Sequence, residues 1–490
     1  MRAMRTLRLS QDGDSATALA QAEKQGQAVI KRLGGDVLVW GEVVRVNGMQ
    51  PVLRLRLVLK DGSGGGGRTV GYALTPALEL PQAFGADLGG ALAALVVAQS
   101  VPAEKEGSFV AEVLAPVLPK LERLLERPPA ALTPDQRINL RETLALLLAR
   151  GGDQRRSEPQ GYKMLERSAE QWRAAAQHWR GKDTLREGSA LSNLGYAIVT
   201  LGEQSDGQTK VKQAIGHYRE ALKLLKSDGA AFAVVAETQI RLGDALRAQA
   251  EHDGTVEVLP EAEAALREAL TQLESQAQYQ RQVGQVLNKL GDTLRARAEH
   301  EAGVGALDEA EKVLLRAVPL LKHDEVPLLW AEVNGNLADV LYLRGSRESN
   351  AKRLDAAVVT YSGAQAVWEQ HKMVVDGAAL QFKRCNALRA LGLIEKAASR
   401  LDDAVGHCRQ SVAKLSPKEN AVYWGEAQLA LARALHGQAQ LRKDAKPLQE
   451  AAKAAKTALD VFAREKARTY EGQAREALGR IEASIKAGVN

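Results

Sequence analysis

Chemistry in this 490-residue chain would have to start from eight histidines: His178, His217, His252, His300, His323, His371, His407 and His436. None belongs to a His-x3-His or His-Glu-x2-His pair and no Cys-x2-Cys occurs, so the spacing offers no metal site. His252 and His300 each follow Ala-Glu at equivalent places along the chain, which repetition explains better than ligation. The run Gly62 to Gly67 lacks the Gly-Lys-Ser/Thr of a phosphate loop and opens no helix whose amino terminus could hold a phosphate. Asp402-Asp403 stands where acids favour a helix start. Nucleophile elbow, dinucleotide fingerprint and kinase motifs are all missing, so the expectation is a non-enzyme without cofactor or metal. Two charge patterns stay in play. Arg54, Arg56 and Lys60 alternate with Leu53, Leu55, Leu57 and Leu59, giving a basic strand face. Asp244 with Arg247 and Asp292 with Arg295 are i,i+3 pairs, worth a few tenths of a kcal/mol if exposed.

The elements that must position these side chains repeat. At spacings of 46, 48, 48, 47, 47 and 47 residues a small side chain returns as Ala149, Gly195, Gly243, Gly291, Ala338, Cys385 and Ala432. Leucine precedes it every time except at Arg384. About 19 residues later come Ser168, Ala214, Ala262, Ala310, Ala357, Ala404 and Ala451. Four further on stand Trp172, Tyr218, Leu266, Leu314, Tyr361, Cys408 and Ala455, and three beyond those Ala175, Ala221, Ala269, Ala317, Ala364, Ser411 and Ala458. A fixed period of this size means stacked supersecondary units, none able to bury its apolar face alone. Small residues belong where two helix axes cross closely, with leucine filling the adjoining groove. A large residue at Gly243 or Gly291 is therefore expected to open the stack.

Composition agrees. Aromatic residues make up only 4% of the chain, which suits close helix contacts. Net charge is +6 from 66 basic and 60 acidic residues spread along the chain, which argues against nucleic acid and for a solvated surface. Cys385 and Cys408 both fall in the repeat frame and read as core filling, with a disulfide between them as the alternative. The amino terminus has no secretory apolar run, and Leu88 to Ala98 is too short to span a bilayer, so a cytoplasmic protein with no membrane span is expected.

Residues 1–129 lie outside the period and read as a small α+β domain. A helix is expected from Ala16 to Leu33, strands over Val37 to Arg45 and Val52 to Lys60 joined at Asn47-Gly48, and a third strand over Arg68 to Leu74. A helix from about Pro81 to Gln99 and a broken one from Ser108 to Arg127 follow, and Pro128-Pro129 marks the boundary. Residues 130–468 hold seven repeats and 469–490 a terminal capping helix.

Asn193-Leu194-Gly195-Tyr196, followed by Ala214, Tyr218 and Ala221, resembles the tetratricopeptide repeat, in a long form of about 47 residues against that family's 34. About half of the excess is expected in polar turns such as Glu203 to Thr209 and Gly345 to Lys352. The resemblance implies a mostly α fold, an α-solenoid of helical hairpins, that binds protein or peptide on its concave face. It also implies that positions one and four after the small residue point inward. Those carry Tyr196 and Val199, Asp244 and Arg247, Asp292 and Arg295, Asp339 and Tyr342, Asn386 and Arg389, and Arg433 and His436, with Asn288 and Asn386 available to a peptide backbone. Gly-Asp-Val-Leu-Val-Trp-Gly-Glu-Val at residues 35–43 resembles the TolB amino-terminal domain. The leading function is a protein-interaction scaffold or sensor. The rivals are the regulatory part of a bacterial signalling or defence system, with Arg54, Arg56 and Lys60 recognising a nucleotide, and a self-assembling homo-oligomer.

Overall fold

The computed structural model describes residues 25–26, 28–32, 37–44, 52–59, 78–81, 117–130, 132–155, 158–202, 207–227, 232–276, 279–301 and 303–488. Residues 25–26 and 28–32 are helical. Strands β1 (Val37–Val44), β2 (Val52–Leu59) and β3 (Leu78–Pro81) form one antiparallel sheet in that order. The partner found for β2 is thus Leu78–Pro81, where a helix was expected to begin; Arg68 to Leu74 and the Asn47-Gly48 turn lie outside the described residues.

Helix α1 spans Leu118–Glu126. Seven hairpins follow: α2 (Pro134–Gln154) with α3 (Pro159–Trp179), α4 (Thr184–Gly202) with α5 (Gly207–Ser227), and α6 (Phe232–Asp253) with α7 (Leu259–Glu274). Then come α8 (Gln280–Glu299) with α9 (Gly305–Ala317), α10 (Pro327–Arg347) with α11 (Ala351–Gln370), α12 (Val374–Glu395) with α13 (Ala398–Lys414), and α14 (Ala421–Arg442) with α15 (Lys446–Arg464). Helix α16 (Arg468–Ala487) closes the series. The contacts divide the chain into two units, one of Met1–Gln249 and Pro260–Gln282, the other of Ala250–Leu259 and Val283–Asn490.

The repeat frame is the packing frame. Ala214, Ala262, Ala310, Ala357, Ala404 and Ala451 are wholly buried, as are Ala175, Ala221, Ala269, Ala317, Ala364 and Ala458. At the crossings the small residue meets the bulky one of the same hairpin: a Cβ on Gly195 would stand 2.6 Å from Tyr218 Cε1, on Gly243 2.7 Å from Leu266 Cγ, and on Gly291 2.5 Å from Leu314 Cγ. Ser168 and Ser411 fit the alanine columns because their hydroxyls donate to carbonyls of the facing helix, Ala145 at 2.8 Å and Ala378 at 2.7 Å.

Two expectations need correction. Residues 203–206 lie outside the described residues, and α8 and the shorter α9 are separated by residues 300–304, whereas in the α12/α13 hairpin the extra length lies in the helices, which have 22 and 17 residues and are joined only by Lys396 and Ala397. Such a short turn is made by one left-handed residue, and Gly254, Ser349, Lys396 and Lys443 take this role at the same place in four repeats. The cysteines are not two free core fillers, because Cys385 and Cys408 form a disulfide with Cα atoms 5.6 Å apart. Each occupies its expected buried position, and the crossing that brings Gly291 against Leu314 here brings sulfur against sulfur. Cys385→Ser with Cys408→Ser is expected to cost about 3 kcal/mol, as for a loop closed at a sequence separation of 23. Melting with and without reductant measures this, and a melt indifferent to both treatments would contradict it.

Candidate functional site

In the first unit, the first helices of the hairpins share a polar face. Arg241 on α6 is buried, with Nε 2.8 Å from Glu237 Oε1 and Nη1 2.9 Å from Asn193 Oδ1 on α4. Its guanidinium also lies over the Tyr196 ring, 5.1 Å from the centroid, and Tyr196 donates to Asp153 Oδ2 at 3.3 Å. Tyr196 therefore serves contacts between α2, α4 and α6. Asp244 and Arg247 are half-buried next to this cluster, and both have partners within the chain.

The second unit carries the longer constellation. Asn288 is buried and bonded to the next first helix: its amide donates to Glu332 Oε1 at 3.0 Å and its oxygen accepts from Asn336 Nδ2 at 2.9 Å. Arg295 Nη2 lies 2.7 Å from Asp292 Oδ1, and its Nη1 2.5 Å from Glu299 Oε1. Asp339 accepts from Lys383 Nζ at 2.7 Å and from the Tyr361 hydroxyl. Burial opposes the Lys383 ammonium, but Asp339 beside it prevails and holds the lysine above its ordinary pKa. Burial pushes Glu426 on α14 up to about 7, against the pull of Lys383 and of a hydrogen bond from Tyr470 on α16. Side chains from α8, α10, α12, α14 and α16 thus interact in one polar region.

A second cluster lies on α12, α14 and α16. Asn386, Arg389, Arg433 and His436 are each half-buried, as is Tyr342 on α10. Arg433 Nη2 reaches Gln473 Oε1 at 3.3 Å, and His436 Nε2 lies 2.8 Å from Ser484 Oγ. Burial depresses Arg433, and Arg389 depresses it further; burial followed by Arg389 and Arg480 depresses His436.

Of the residues singled out from sequence, Asp292, Arg295 and Asp339 interact in the first region of this unit, and Tyr342, Arg389 and Arg433 in the second, with Asn386 three residues before Arg389 on α12. In the sheet, Arg54 pairs with Glu42 on β1 and Glu79 on β3, and Arg56 with Trp40, so the row holding Arg54 carries both signs; Lys60 lies outside the described residues. Sequence reasoning missed Arg241, Lys383, Glu426, Tyr470 and Arg480. A signal existed: polar residues recur two before the small position, as Asn193, Arg241, Lys289, Asn336 and Lys383, and glutamate recurs six before it, as Glu237, Glu332 and Glu426. Those offsets share a helix face with the positions one and four after it.

Among the described residues there is no cluster of three or more His, Cys, Asp or Glu able to hold a metal, and no helix long and apolar enough to cross a membrane. No family model matches the chain, and no curated protein does. Solved structures similar to it include a Rap protein complexed with competence and sporulation factor, 14% identical over 82% of this chain and 99% of that one, at a TM-score of 0.45. The apo form of RapI is 12% identical over 82% and 99%, at 0.47. Aspartyl phosphate phosphatase F from Bacillus subtilis is 10% identical over 82% and 95%, at 0.39. At such identities and TM-scores the likeness assigns no function to this chain.

Proposed function

We propose that the chain is a non-catalytic protein-interaction scaffold or sensor, with 130–468 as the binding array, 469–490 as its cap and 1–129 as a separate module. The observation that carries this reading is the polar face of the second unit. Five successive first helices contribute Arg295, Asp339, Lys383, Glu426 and Tyr470 to one interacting group, bordered by half-buried Tyr342, Asn386, Arg389 and Arg433. Purely structural helices would bury apolar residues there, and desolvating so many charges costs stability. A face with neighbouring groups of both signs suits a protein segment, whose side chains and backbone offer both signs in turn.

The test is affinity capture with the full chain, its Tyr342→Ala/Asn386→Ala variant, and a control variant at the exposed Leu315 and Val359. One reproducible protein should be retained by the parent and the control and lost by the inner-face variant. No reproducible partner, or equal capture by all three, would count against the reading. We further propose a cytoplasmic location. Disulfides persist mainly in oxidising surroundings, so the Cys385–Cys408 bond weighs against this location; recovery of the chain outside the cytoplasmic fraction on cell fractionation would overturn it.

A further inference from the structure

The register of the array continues into the last helix. Asn386, Arg433 and Arg480 follow one another at 47 residues, on α12, α14 and α16, and Arg389 and His436 take the position three residues on. Successive first helices touch here. His436 is held to Ser484 of α16 and Arg433 to Gln473 of the same helix. The Arg389 Cγ lies 3.8 Å from where a Cβ on Gly437 would stand, which sets the arginine stem against α14 beside His436. Three guanidinium groups and an imidazole are thereby gathered on one patch, and the carboxylate facing them is Glu476, already paired with Arg480 at 2.5 Å.

Two further observations point to an anion as the group this patch suits. Arg389 Nε and the Asn386 side-chain oxygen are buried without a partner among the described residues. A buried donor without an acceptor is costly, and an asparagine amide turned over would present its NH2 group at the same place. The cations also weaken one another: burial and then Arg389 lower Arg433, and burial, Arg389 and Arg480 lower His436. A bound oxyanion relieves this repulsion and accepts from the orphaned donors.

We propose that α12, α14 and α16 form a binding site for a carboxylate of an acidic peptide segment, held by Arg389 and Arg433 with Asn386, His436 and Arg480 around it. The site rests on the reading of this face as a protein-binding surface. The planar guanidinium fork matches a carboxylate. Lys383, Glu426 and Asp339 on these same first helices and on α10 give further charged groups of both signs, which a peptide can use and a lone inorganic anion cannot.

The test uses the full chain on an immobilised array of random 12-residue peptides, followed by fluorescence anisotropy with one bound peptide. Bound peptides should be enriched in Asp and Glu. Arg389→Gln/Arg433→Gln should weaken binding at least tenfold, Arg480→Gln about threefold, and Arg389→Lys/Arg433→Lys should retain part of it with an unchanged melt. Binding without acidic enrichment, binding undiminished by the glutamine pair and by Arg480→Gln, or equal displacement of acidic and neutral peptides by inorganic phosphate would overturn this site while leaving the scaffold reading intact. If no peptide binds, both fall.

Discussion

Gly243→Leu is expected to destabilise the first unit by about 3 kcal/mol or more, the upper end for overpacked interiors. A Cβ at this position would already lie 2.7 Å from Leu266 Cγ and 3.0 Å from its Cδ2, with the Ala262 carbonyl oxygen at 3.2 Å. Leucine adds three more carbons beyond that Cβ. Leu266 has no free volume to move into, being wholly buried, and Ala262 holds the backbone of α7 at its closest approach. Relief therefore requires α6 and α7 to separate, which uncovers the alanine column as well. At roughly 2–4 °C per kcal/mol for a body of this size, the melt should shift by about 6–12 °C. Gly216 supplies the control, being also helical but with nothing within 4 Å of where its Cβ would stand: Gly216→Ala should leave the melt unchanged or raise it slightly. An unchanged melt for Gly243→Leu would show that the crossing is loose.

What the sequence made legible is what close packing forces on it. Ala262 and Ala269 tolerate no larger side chain where two axes meet, and that demand recurs in every hairpin, so the columns emerge from one sequence. The turns left no such trace. Their left-handed residue is glycine at 254 but Ser349, Lys396 and Lys443 elsewhere, and a single strained lysine has no signature. Without that marker, the polar ends of α6 and α10 read as turn when they are helix. The disulfide was hidden for the opposite reason: cysteine satisfies both the small and the bulky position as a plain apolar residue, so the frame is obeyed whether or not the sulfurs join.

The candidate face was half legible. Residues one and four after the small position do lie on it, but Asp292 and Asp339 turn out to be occupied by Arg295 and Lys383. The face is wider than two columns because an α-helix brings positions six and two before the small residue to the same side. Glu426 enters only through that wider face. The α16 contribution is missed for a different reason: a capping helix reads as amphipathic cover, although Arg480 keeps the 47-residue step from Arg433.

Two buried carboxylates make stability fall as pH rises through neutrality. Burial pushes Glu142 up to about 7, against Arg186 and the Trp179 indole that donates to it at 2.8 Å, and burial likewise pushes Glu426 up to about 7. Unfolded, each ionises near the ordinary value of 4.5. Between 4.5 and 7 the folded chain thus holds protons that the unfolded chain has released, so each step up in pH favours unfolding. The stability contributed by the protonated acids is complete below 4.5 and is lost by the time pH has risen through 7. For Glu142, which is 5% exposed, a shift of this size is on the order of 3 kcal/mol. Glu426 is less enclosed and contributes less. Glu142→Gln keeps an oxygen for the Trp179 indole and removes the ionisation, so it should melt close to the parent at pH 4.5 and well above it at pH 8. Glu426→Gln should show the same trend with smaller amplitude, since it also gives up an attraction to Lys383 that exists only when the acid is ionised. The two residues sit in different units, so the double variant should show the two gains added at pH 8. Parent and Glu142→Gln curves that run parallel from pH 4.5 to 8 would mean that Glu142 ionises normally, and that its enclosure beside Trp179 is open to water.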